Sequence, residues 1–168
     1  VSLAGTEQNF LTEIAAYESH LEEIKGCYAD VTKNYPQAAS DPRIAAANSF
    51  YASKKTSFGT LKNTISSEFN LIDTAKNLIT STQAAVNASN STEEILAAFN
   101  NYQNEVDRGN LPSYIVGAQR EAEYQSFKYD TQVDLSGTGI ITSLKNQCAT
   151  LQQQYNINNS GGNDGGGA

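Results

Sequence analysis

Methionine is absent from all 168 positions, including the first. A chain of this kind is expected to start after a processing event, and a removed signal peptide is the simplest one. Val1-Ser2-Leu3-Ala4-Gly5 has the small residues of a mature N-terminus; a trimmed cytosolic chain is the alternative. Basic residues are also scarce, with Lys and Arg numbering 11 against 18 Asp and Glu, for a net charge of −7. Nucleic-acid binding depends on a basic stripe that displaces counterions from phosphates, and none is present. An anionic membrane surface is disfavoured on the same ground. No apolar run approaches the roughly 20 residues that span a bilayer, so direct membrane insertion is not expected.

His20 is the single histidine. Metal sites on helices use clusters such as HExxH or ExxH, but Tyr17 stands three residues before His20. No G-x-S-x-G accompanies it. Gly137-x-Gly139 lacks the third glycine and the lysine of a phosphate loop. No catalytic residue, metal ligand or cofactor-binding residue is therefore assigned. Glu18 with Glu22, which share a helix face, and Glu121 with Glu123, close in sequence, are the candidate acid–base pairs, but solvated helix faces carry carboxylates in the same way. The cysteines number two, Cys27 and Cys148, without CxxC spacing. In an exported chain an even count suggests one disulfide, which would tie the first helix to the last. Two buried free thiols are the alternative.

What the sequence does contain is heptad spacing. Phe10, Ile14, Tyr17, Leu21, Ile24, Tyr28, Val31 and Tyr35 advance by alternating fours and threes, the period of a helix seam. Thr6 or Asn9 is a candidate cap for this helix, and Pro36 ends it. Gly26 precedes Cys27 and is read as room for a neighbouring helix at the disulfide. Asp41 and Pro42 form the next helix start. Its seam is Ile44, Ala47, Tyr51, Lys54, Phe58, Leu61, Ile65, Glu68, Ile72, Ala75 and Ile79. Lys54 and Glu68 interrupt it, with Phe50 and Phe69 close enough to rotate it. Nothing breaks the run before Asn87-Ala88-Ser89-Asn90, so a helix of about 60 Å is expected.

Ser91-Thr92-Glu93-Glu94 is a capping box opening a shorter helix through Ile95, Phe99, Tyr102 and Val106. Pro112 starts a weaker helix to about Gln132, marked by Ile115, Val116, Ala122 and Phe127. Asp134 to Gly139 reads as a loop. Ile141, Leu144, Cys148, Leu151 and Tyr155 form the last seam, with Cys148 at a core position. The expectation is an all-α, elongated antiparallel bundle of three long helices plus one or two shorter ones. It is read as one domain over 1–157, followed by a flexible Gly/Asn-rich tail over 158–168.

Tyrosine occurs nine times, and Tyr114, Tyr124 and Tyr129 fall off the strongest seams. They are the expected interface residues, since tyrosine is enriched where proteins meet. Asn87 and Asn90 begin N-x-S/T triplets in a turn and are the expected glycosylation acceptors if the host glycosylates. A long first helix, short middle helices and a returning long helix resemble the minor pilins of type IV secretion systems and the helical surface proteins of trypanosomes. The resemblance is one of architecture and carries no residues over. The expected function is a non-enzymatic extracellular structural or adhesive protein, a surface rod or a filament- or pilus-associated subunit whose partner is itself or another surface protein. A surface receptor or binding module is the alternative, followed by a carrier of a small hydrophobic ligand.

Overall fold

A computed structural model describes residues 3–109, 111 and 114–161; side chains at 3–4, 114–118 and 159–161 lie outside the description. The described chain is all α. Helix α1 spans Leu3–Asn34, a 3-10 turn spans Pro36–Ser40, α2 spans Pro42–Ala88, α3 spans Thr92–Gly109, α4 spans Tyr114–Leu135 and α5 spans Ile140–Gly161. No strand occurs among the described residues. The chain divides into two compact units. One holds residues 1–10 and 62–125; the other holds 11–61 and 126–168. Helices α1, α2 and α4 contribute residues to both.

The α1 seam is buried as its period requires. Phe10, Ile14, Tyr17, Leu21, Ile24, Tyr28 and Val31 are all 2% exposed or less. Pro36 ends the helix, and Tyr35, just before it, stacks on Tyr155 at 6.3 Å. Asp41 caps α2 with Oδ1, which accepts from the Arg43 amide at 2.9 Å, while Oδ2 pairs with the Arg43 guanidinium at 2.9 Å. Tyr155 donates to the same Oδ2 at 2.9 Å.

In the second unit α1 and the first part of α2 are antiparallel: Tyr17 meets Phe58 edge-on at 4.9 Å, and Tyr51 donates to Glu22 at 2.6 Å. The end of α4 and then α5 run alongside α1 in the same direction. Tyr17 bonds Asp134, His20 lies 2.9 Å from Lys145, and Tyr28 donates to the Leu144 carbonyl at 2.8 Å. Within this unit α4 and α5 thus act as one strut interrupted at 136–139. Gly139 enables the interruption, because a Cβ there would fall onto the backbone carbonyls of Val133 and Asp134. The Ser143 amide then donates to the Gly139 carbonyl at 2.9 Å and starts α5. Ile141, Cys148 and Leu151 are buried at 1% exposure or less, as the last seam requires.

The first unit buries Ile65, Phe69 and Ile72 of α2 and Tyr124 of α4, and Tyr124 packs on Phe10 at 5.6 Å. Thr6 does not cap α1. It lies inside the helix, 4% exposed, and donates to Glu121 at 2.6 Å. That bond, followed by one from Gln125, holds the Glu121 carboxyl below its usual range.

The two polar interruptions of the α2 seam have different partners. Glu68 accepts from the Arg120 guanidinium at 2.7 Å. Lys54 places its ammonium near the rings of Tyr17, Phe58 and Phe50, at 5.6, 5.8 and 6.0 Å from their centroids. A desolvated ammonium gains from such ring faces.

Three local expectations change. Gly26 is exposed, with nothing within 4 Å of where its Cβ would stand, so no helix approaches it. Ile79, placed on the α2 seam, is 46% exposed. The helix α5 continues to Gly161, past the expected start of the tail at 158, and residues 162–168 lie outside the described residues.

Candidate functional site

Cys27 and Cys148 are joined in a disulfide with a Cα–Cα distance of 6.3 Å, within the ordinary range for the bond. Cys148 is fully buried, and Gln152 Nε2 lies 3.8 Å from Cys27 Sγ. The bond links α1 to α5 inside one unit and leaves no free thiol among the described residues.

The three tyrosines expected at an interface have different fates. Tyr124 is 8% exposed against Phe10, so it is a core residue and not a surface one. It faces inward because the α4 seam runs through Tyr124, Phe127, Thr131 and Asp134, two of them polar. Tyr129 is 66% exposed, with Val133 one turn further along the helix at 46%. The side chain of Tyr114 lies outside the described residues. Asn87 is exposed at the end of α2, and Asn90 is exposed in the turn before α3. There Ser91 Oγ accepts from the Glu94 amide at 3.2 Å, and the Glu94 carboxylate accepts from the Asn90 amide at 2.6 Å.

The carboxylate pairs are held by structural partners. Lys55 Nζ lies 3.0 Å from Glu18 and 3.4 Å from Glu22. Glu121 accepts from Thr6, and Glu123 pairs with Arg120. His20 Nδ1 sits beside Lys145, which also pairs with Glu23 at 2.7 Å. No group of three or more metal-binding side chains assembles among the described residues. Nor is any described helix long and apolar enough to cross a membrane.

Two surfaces have the character of binding sites. The first is α3. Its capping box starts an 18-residue helix that has no buried residue. Ile95, Ala98, Tyr102 and Val106 form its half-buried face. Leu96 and Phe99, one turn apart on the flank of that face, are 56% and 54% exposed. The first unit also exposes Leu71 at 41% and Ile79 at 46% on α2. Phe99 was expected on a core seam, and Leu96 was missed. The adjacent Ile95-Leu96 pair, which widens the apolar arc beyond one seam, was the available signal.

The second is a half-open cleft of about 180 Å³ in the second unit. Lys54, Ser57, Phe58 and Leu61 of α2 form one wall, and Phe127, Asp130, Thr131 and Asp134 of α4 form the other. Tyr17 of α1 also lines it. Lys54 as an interruption of the α2 seam was the one hint of it in the sequence.

The chain matches no protein-family model, no curated protein and no solved structure.

Proposed function

We propose that this protein is a non-enzymatic helical component of an extracellular or cell-surface structure, acting by contact between copies of itself. The observation that carries the reading is the uncovered apolar flank of α3, where Leu96 and Phe99 are more than half exposed. Leaving a large apolar side chain in water forgoes about 1.5–3 kcal/mol relative to burying it fully. Contiguous apolar surface of this kind marks interaction sites. Tyr129 and Val133 form a second exposed apolar face, in the other unit. Two different faces on one chain suit head-to-tail association, which closes into rings or extends into filaments. The disulfide is compatible with an oxidising, extracellular compartment.

Light scattering coupled to size exclusion, over a range of concentrations, tests this. The expected result is a mass that rises with concentration, and a return toward monomer in Leu96→Glu/Phe99→Glu with helical content unchanged. A wild-type protein that stays monomeric at every concentration overturns self-association.

A further inference from the structure

The cleft in the second unit carries charges of opposite sign on opposite walls that do not meet. Lys54 stands on the α2 wall, and Asp130 and Asp134 stand one turn apart on the α4 wall. No ion pair joins them within 4.0 Å, and Lys54 has no carboxylate partner among the described residues. Its ammonium is instead held near the rings of Tyr17, Phe50 and Phe58. Asp134 uses Oδ2 to accept from Tyr17, and Oδ1 has no hydrogen bond among the described residues. Asp130 is exposed and likewise has no partner among them.

The same two walls also carry Phe58 and Leu61 on α2 and Phe127 on α4. Thr131 is 5% exposed as a whole and lines the same cleft, where its hydroxyl remains open to solvent.

We infer that this cleft binds a small free α-amino acid as its zwitterion. The ligand carboxylate lies against the Lys54 ammonium, the ligand ammonium lies between Asp130 and Asp134, and an apolar side chain lies against Phe58, Leu61 and Phe127. Each charge on the protein then gains the partner it lacks. The size agrees: an apolar cavity of about 150 Å³ holds benzene, and the cleft measures about 180 Å³. A ligand with a single charge pairs with one wall only and leaves the charge on the other without a partner. The inference does not rest on the α3 flank that carries the self-association reading, because the cleft lies in the unit that does not contain α3.

The test is an amide-resolved NMR titration of the intact chain with L-leucine, leucinamide and N-acetyl-leucine. Leucine is expected to shift amides around residues 54–61 and 127–134. The two blocked forms are expected to bind at least about tenfold more weakly. Lys54→Gln and Asp130→Asn, each checked by thermal melting, are expected to weaken leucine binding by about the same factor. Lys54→Gln should also abolish the preference for leucine over leucinamide. Absence of cleft shifts up to about 10 mM leucine overturns the inference. So does leucinamide binding to wild type as tightly as leucine, since the cleft would then read a cation alone.

Discussion

The Tyr17 hydroxyl donates to Asp134 Oδ2 at 2.8 Å, joining positions 117 apart in the chain. Tyr17 is a seam residue only 2% exposed, so its hydroxyl needs a partner inside the bundle. Asp134 supplies one at the last turn of α4. Burial first, then the hydrogen bond and negative charge of Asp134, push the Tyr17 phenol well above its ordinary range. The pair also sets the axial position of α4 against α1, because a slip of one turn would leave both groups without their partner.

Tyr17→Phe is therefore expected to destabilise the protein by about 1–3 kcal/mol at neutral pH, the cost of leaving a part-buried acceptor unmatched. It should also flatten the alkaline limb of the stability profile. A phenol whose folded value is raised contributes stability that is complete below its unfolded value, near 10, and is lost as the pH rises through the folded value. Urea denaturation from pH 7 upward checks both effects, and a double-mutant cycle with Asp134→Asn isolates the pair.

Acid pH acts through a different residue. Hydrogen bonds from the Arg43 side chain and amide hold the Asp41 carboxyl well below the usual carboxylate range, despite its partial burial. A carboxyl lowered in this way stabilises the fold above its unfolded value, about 3.9, and the contribution is lost as the pH falls toward the folded value. Asp41→Asn keeps a side chain able to cap α2 but removes the charge. The expected outcome is a weaker loss of stability between about pH 4 and pH 2 than in wild type, read by denaturant midpoints across that range.

Two glycines should respond in opposite directions. Gly139→Ala places a methyl group against the Val133 and Asp134 carbonyls. Loss of at least about 2 kcal/mol is expected, in the range of overpacking substitutions. Gly26→Ala meets open space on an exposed helix position and should gain about 0.5–1 kcal/mol, since alanine restricts the unfolded chain and favours helix. Thermal melts of the two variants side by side decide this; a destabilised Gly26→Ala would restore a close approach at that residue.

The disulfide closes a sequence separation of 121 residues. Chain-entropy reasoning puts a link of that length at about 2–5 kcal/mol. Cys27→Ala/Cys148→Ala should lower the denaturant midpoint accordingly while leaving the helical circular-dichroism signal in place. Equal electrophoretic mobility of the wild type with and without reductant, together with two titratable thiols, would count against the bond.

The seams of α1, the first half of α2 and α5 were legible in the residue order, because each repeats apolar side chains at helix spacing and each buries that row. The cysteine pairing followed from Cys148 standing on a core position and Cys27 lying beside another. Helix α4 was less legible. Its inward row includes Thr131 and Asp134, whose polarity hides a seam that tertiary partners make tolerable. That is why Tyr124, standing apart from any apparent apolar row, reads from sequence as a surface residue and packs as a core one.

Periodicity along one chain determines which side of a helix avoids water, and so the all-α class, the order of the helices and most of the core could be read without coordinates, while the ends of α4 and α5 lie beyond where the sequence placed them. It carries no information on which polar side chains will find each other, because those bonds join different helices, with partners as much as 117 positions apart in the case of Tyr17 and Asp134. Tyr17 with Asp134, Thr6 with Glu121, and Lys54 facing two aspartates it does not reach arise only when the helices pack. The uncovered flank of α3 is equally a product of packing: its apolar arc is wider than the surface its own unit covers.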